Sequence, residues 1–221
     1  RFKCDWSSDV CSSDLMIERS DNDSTDALAK AVIDPTFAPM EVTEDMKALG
    51  IENTYWAGFF TPGSPMLQDY KTPANQRTDF STEPDRYAQT TPQDLGLLLE
   101  DIYYCAKDYG GSFPLAFNGE ITQEECQLMV DYLALNKIGV LIQAGVPADV
   151  TVAHKHGWAY EVDDGYIHTI ADAGIVYTPG GDYVLSIFAY HPIQAVFEPV
   201  NQLFAKLSQA VYSYYNLTST Q

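Results

Sequence analysis

Between residues 150 and 190 the chain reads VTVAHKHGWAY, HTIADAGIVYT and DYVLSIFAY, with PGGD joining the last two runs. Short runs rich in β-branched and aromatic residues fit pleated strands, and a Pro-Gly-Gly-Asp link allows only a tight antiparallel reversal. A three-stranded antiparallel sheet must bury at least one face against another element. The stretch from about Pro199 to Tyr215 offers that element, because Leu203, Phe204, Leu207, Val211 and Tyr214 recur at helical spacing. Residues 146–221 therefore read as a sheet with a terminal helix packed on it.

Upstream the apolar period changes from 2 to 3.6 residues. In MIERSDNDSTDALAKAVI, Ala27, Leu28, Ala31 and Val32 share one helical face, and VTEDMKALG reads as a second helix with Thr43 as N-cap and Gly50 as its stop. A third helix begins at TTPQDLGLLLEDIYYCAKD, where Thr91 can cap, Pro92 takes the first helical position and Leu95, Leu98, Leu99 and Ile102 form the stripe. A fourth starts at Thr122, whose spacing to Glu125 is that of a capping box, with Cys126, Met129, Val130 and Leu133 inward. Residues 53–89, rich in Pro, Gly, Thr and Asp, form a long loop of the kind that carries function. Residues 16–145 are thus a helical lobe, and the class is α/β (α+β).

The first fifteen residues, RFKCDWSSDVCSSDL, have neither period and no apolar core of a signal peptide. Back-translated, CDWSSDVCSSDL resembles a short-read sequencing adapter read in frame, so residues 1–15 are set aside as an artefact fused ahead of Met16. The net charge of −19 becomes −18 without Arg1, Lys3, Asp5, Asp9 and Asp14, so the acidity belongs to residues 16–221. Acidity of that size disfavours nucleic acid as a partner, and no apolar run is long enough to span a bilayer. Outside the leader only Cys105 and Cys126 remain. Both read as buried thiols on helices, with a helix-to-helix disulfide as the alternative.

Two short motifs carry the chemistry: Ser20-Asp21-Asn22 just before a helix, and Lys155-His156-Gly157 within a strand. Alone, the first is an N-cap cluster and the second a strand lysine at a solvated edge. His154 and His156 alternate around Lys155 and share the opposite face. With no third ligand nearby they make no metal site, and no metal or cofactor is expected.

In this order, with helices between them and two more strands and a helix after them, the motifs resemble the Ser-Asp-Asn and Lys-Thr-Gly elements of the penicillin-recognising serine hydrolases, the class A β-lactamase family. MIERSDNDSTDAL is similar to that family's loop-to-helix junction, TTPQDLGLLLEDIY to the helix after its omega loop, and VAHKHGW with DAGIV to its third and fourth strands. The resemblance implies a β-lactamase/transpeptidase-like fold of which the N-terminal helix, two strands and the nucleophile helix are missing here. It implies an acyl-serine mechanism on a small-molecule β-lactam or peptidoglycan-type amide, and an extracytoplasmic location. The nucleophile of a Ser-x-x-Lys helix is absent from this chain, which is expected to be inactive by itself.

The resemblance assigns the remaining roles. Ser20 relays a proton toward the leaving nitrogen, and Lys155 supplies positive charge near that hydroxyl and a substrate carboxylate. Asn22 bonds the substrate's acylamino carbonyl, the Trp158 N–H forms half of an oxyanion hole, and Asp21 braces the loop. His156 stands where the family has a carboxylate-binding Thr or Ser, followed by Gly157. In the omega loop, KTPAN puts Lys71 where the family has its water-activating Glu and Asn75 at the following Asn, with Glu83 and Asp85 as possible substitutes. These departures leave a catalytically inactive binding domain as the rival reading.

Overall fold

A computed structural model describes residues 12–79, 85–161 and 164–217. The chain divides into two units, residues 1–78 with 82–91 and residues 79–81 with 92–221.

The first unit holds α1 (Ser12–Glu18), α2 (Asn22–Val32), α3 (Ala38–Ala48), β1 (Tyr55–Trp56) and β2 (Ala88–Gln89). The two short strands pair antiparallel, Tyr55 with Gln89 and Trp56 with Ala88, and so tie together the ends of the long loop. Ala29, Ala38, Trp56 and Phe59 form the core, and Tyr55, Ala57 and Tyr70 a second cluster. The inward face of α2 is not the expected one: Asp26 and Ala29 are buried, whereas Ala27, Ala31 and Val32 are exposed. The Asp26 carboxylate turns the helix this way, accepting from the Phe60 and Thr61 N–H groups at 3.0 and 2.8 Å and from the Thr61 hydroxyl at 2.6 Å. A buried carboxylate with three donors is satisfied where an unpaired one would be costly.

Thr43 is likewise not an N-cap. It lies inside α3, fully buried, with its hydroxyl 3.0 Å from the carbonyl oxygens of Pro39 and Trp56 and accepting from the Trp56 N–H at 2.9 Å. The helix starts earlier, with Pro39 in its first turn, after Asp34 accepts from the Thr36 and Phe37 N–H groups. Its end is as expected: Gly50 follows the last turn at φ 79°, a conformation that suits glycine.

The second unit comprises α4 (Pro92–Asp108), α5 (Phe113–Ala116), α6 (Gln123–Ala134), a 3-10 turn (Gln143–Gly145), β3 (Thr151–Trp158), β4 (Thr169–Tyr177), β5 (Tyr183–Tyr190) and α7 (Phe197–Tyr215). The sheet is antiparallel in the order β3-β4-β5, with Thr151 opposite Tyr177 and Val176 opposite Tyr183. The capping box of α6 is present, Thr122 accepting from the Glu125 N–H while Glu125 accepts from the Thr122 N–H. Cys105 of α4 and Cys126 of α6 are joined in a disulfide across a Cα separation of 5.8 Å, so the reading as two thiols is corrected. Both side chains are fully buried where the two helices meet, close enough for the bond to form.

Side chains alternate across the sheet, so its two faces bury different partners. On one face Val152, Ile170 and Val176 meet Leu141, Ile142 and, from α7, Phe204 and Val211. The other face meets α4, where Gly96 approaches Ser186 and the Tyr103 ring lies 6.1 Å from that of Tyr177. The helix α7 packs on the sheet as expected, through Phe204 and Val211 of the expected stripe but not through its other members. Phe204 and Ser208 are buried, whereas Leu203, Leu207 and Tyr214 are 50%, 44% and 72% exposed. Two close contacts fix this rotation: Ser208 donates to the Ile142 carbonyl at 2.8 Å, and a Cβ on Gly145 would overlap the Ala205 carbonyl oxygen.

Candidate active-site elements

Ser20 and Asn22 belong to the first unit and Lys155 to Trp158 to the second, and each group is built locally. Ser20 is exposed, at the junction of α1 and α2, with φ 55°. A non-glycine residue in the left-handed region stores strain, and such residues cluster at functional positions. Asp21 then returns to an extended conformation as the N-cap of α2, its carboxylate accepting from the Ser24 N–H at 2.7 Å. Hydrogen bonds from the Ser24 side chain and backbone hold the Asp21 carboxyl below its usual range. The acid is therefore occupied in bracing the turn, and Asn22 opens the helix with an exposed side chain.

The loop residues of the first unit are braces too. Asn75 donates from Nδ2 to the Tyr70 carbonyl at 2.9 Å and accepts the Thr72 N–H at 2.9 Å, which closes KTPAN into a compact turn. Asp85 accepts the Tyr87 and Ala88 N–H groups at 2.8 and 3.2 Å through Oδ1. Lys71 is exposed. Glu83 lies outside the described residues.

On β3, alternation puts Lys155 and Gly157 on one face and His154, His156 and Trp158 on the other. Lys155 is half-buried and donates to the His156 carbonyl at 3.0 Å. Burial lowers its pKa, and the Asp172 carboxylate acts in the opposite sense. A Cβ at Gly157 would meet open space, so the strand is uncrowded just beyond the lysine. Trp158, 38% exposed, stacks on His156 at 4.7 Å and meets the Phe197 ring edge-on at 4.8 Å.

Beneath this strand lies a buried polar network that the sequence reading missed. His154 is fully buried, with Nδ1 2.9 Å from Asp172 Oδ1 and Nε2 2.8 Å from the Asn136 carbonyl oxygen. Both partners only accept, so the arrangement is satisfied when both ring nitrogens donate. Asp172 also accepts the Ile142 N–H at 3.1 Å, and Gly174 leaves room for the imidazole, since a Cβ there would fall 2.6 Å from His154 Cβ. The available signal was Asp172 itself, an acid in the apolar run TIADAGIVY with two histidines at strand period opposite it.

The two ring nitrogens of His154 are therefore taken up by hydrogen bonds. Among the described residues, no group of three or more His, Cys, Asp or Glu could hold a metal, and no helix is long and apolar enough to cross a membrane. The β3 strand offers one half-buried cation on one face and, on the other, a half-buried imidazole flanked by an indole. The Lys155 face can attract an anionic group by charge, and the His156 face can meet one by hydrogen bonding.

No curated protein matches the chain. Among solved structures it is similar to a class A beta-lactamase from Bacteroides cellulosilyticus, at 22% identity and TM-score 0.66, covering 93% of this chain and 62% of that one. It is also similar to PBP-A in an acyl-enzyme complex with penicillin G, at 22% identity and TM-score 0.61, covering 94% of this chain and 61% of the other. A beta-lactamase from Sphaerobacter thermophilus gives 18% identity and TM-score 0.62, with 93% and 62% covered. These likenesses identify the fold as that of the class A β-lactamases, of whose length this chain spans about 62%. The profile of the beta-lactamase enzyme family matches residues 12–215, nearly the whole described chain, and the protein belongs to that family.

Proposed function

We propose that residues 16–221 are the supporting part of an acyl-serine hydrolase acting on a β-lactam or a peptidoglycan-type amide, with residues 1–15 a foreign leader. The observation that carries this reading is the half-buried Lys155, held on β3 beside an open Gly157 in a chain of net charge −19. A cation so placed is a local exception in an acidic surface and suits an anionic substrate group. In this reading Lys155 binds the substrate carboxylate, Asn22 donates to its acylamino carbonyl, Ser20 relays a proton to the leaving nitrogen, and the Trp158 N–H contributes to the oxyanion hole. The partner is a small molecule, and nucleic acid is disfavoured by charge.

The nucleophile is proposed to come from a Ser-x-x-Lys segment encoded ahead of Met16, because residues 1–221 contain no such sequence. The disulfide between α4 and α6 supports an extracytoplasmic location, where such bonds persist.

A catalytically inactive binding domain remains the second reading, on one specific ground. Asp85 is committed to two backbone N–H groups, and Lys71 stands where a water-activating acid is expected. Mass spectrometry after incubation with penicillin G separates the two. The protein expressed from the intact source gene gains a penicillin adduct if the enzyme reading holds, while residues 1–221 alone gain none. No adduct on the intact protein at any time point would leave the binding reading.

A further inference from the structure

Asn136 follows α6 and is buried, with its amide Nδ2 3.3 Å from the His154 carbonyl oxygen and 3.0 Å from His156 Nδ1. A carbonyl oxygen can only accept, so the amide group facing it is the NH2 and not the oxygen. With the amide fixed in that sense, its second hydrogen points to His156 Nδ1, which must be unprotonated. The ring then carries its one proton on Nε2. Asn136 is itself held, because its backbone oxygen accepts from His154 Nε2 while His154 Nδ1 donates to Asp172. The His154 ring thus holds the Asn136 backbone and the His154 carbonyl orients the Asn136 amide toward His156, while the amide oxygen is buried without a partner among the described residues.

We propose that Asn136 is a positioning residue that locks His156 as the neutral Nε2–H tautomer, so that β3 offers a ligand a fixed, uncharged hydrogen-bond donor. Such a donor selects an acceptor, a carboxylate or carbonyl oxygen, and rejects a ligand group that can only donate. The family reading supplies the identity of the ligand, and this consequence rests on it; the tautomer does not.

The charged neighbours agree with a neutral ring. Burial first, and then Lys155 on the same strand, depress the His156 pKa to about 4, His154 acts in the same direction, and Asp172 on β4 opposes them. Asn136 after α6 and the Trp158 ring, which touch the imidazole, bring no charge. The donor should therefore keep one form from about pH 5 to 8.

Nitrogen-15 NMR of the histidine rings of residues 1–221 tests this without any ligand. The His156 signals, assigned by their loss in His156→Gln, should show the Nε2–H pattern and no titration between pH 5 and 8. Asn136→Asp replaces the donor by an acceptor, and in it Nδ1 should become protonated and the ring should titrate near or above pH 6.5. An Nδ1–H pattern in the wild type, or wild-type titration near pH 6.5, overturns the lock, whatever the variant does. Penicillin G added to the protein expressed from the intact source gene is expected to shift the Nε2–H signal. If the tautomer is as stated and penicillin G moves no His156 signal in that intact protein, the lock stands and the proposed function fails.

Discussion

Ser20 and Asp172 show how single residues shape the two groups of candidate site residues. The left-handed conformation of Ser20, at φ 55°, costs an L-residue roughly 1–2 kcal/mol. Both Ser20→Gly and Ser20→Ala lose the hydroxyl, but only glycine relieves the strain. The glycine variant should therefore be the more stable by about 1 kcal/mol in urea unfolding. Equal stabilities would mean that the backbone there is not strained. Asp172 anchors both His154 and the Ile142 N–H in a fully buried setting. Asp172→Ala leaves two buried donors without an acceptor and should cost about 3–5 kcal/mol in the same measurement. A loss below about 1 kcal/mol would show that the network is dispensable.

At the level of elements, what could be read from the sequence was what local chemistry determines. The three strands, the PGGD reversal and the Thr122–Glu125 capping box need only neighbours in sequence, and all three form. The inner face of α2 differs from the periodic expectation, and that of α7 agrees at Phe204 and Val211 but not at Leu203, Leu207 and Tyr214, because polar contacts from distant segments set the rotation. Asp26 is claimed by Phe60 and Thr61, and Ser208 by Ile142. A stripe of Leu203 and Leu207 and a stripe of Phe204 and Ser208 are equally periodic, so periodicity alone cannot choose between them. Thr43 deceived for the same reason, its partner Trp56 lying thirteen residues away. The Cys105–Cys126 bond closes a loop over a sequence separation of 21. Constraining a loop of that length stabilises by about 3 kcal/mol on the chain-entropy model. Cys105→Ser with Cys126→Ser should lower the unfolding free energy by about 2–4 kcal/mol, and an unchanged midpoint would refute that stabilising role.

For the molecule as a whole, the motifs were legible because Ser20-Asp21-Asn22 and Lys155-His156-Gly157 are contiguous in sequence. The buried network beneath the second motif was not, since Asn136, His154 and Asp172 meet only after the sheet forms. Family membership and fold follow from the match over residues 12–215 and from the solved structures. The acyl-serine chemistry is a proposal about the whole protein, and this chain spans about 62% of the length of such structures. The most direct test is to amplify the source locus and sequence it through the codon of Met16 in single long reads. The expected result is an open frame entering Met16 without the RFKCDWSSDVCSSDL leader and carrying Ser-x-x-Lys upstream. A continuous frame of family length with another residue at that serine would contradict it and make the Lys155 strand a binding surface without chemistry.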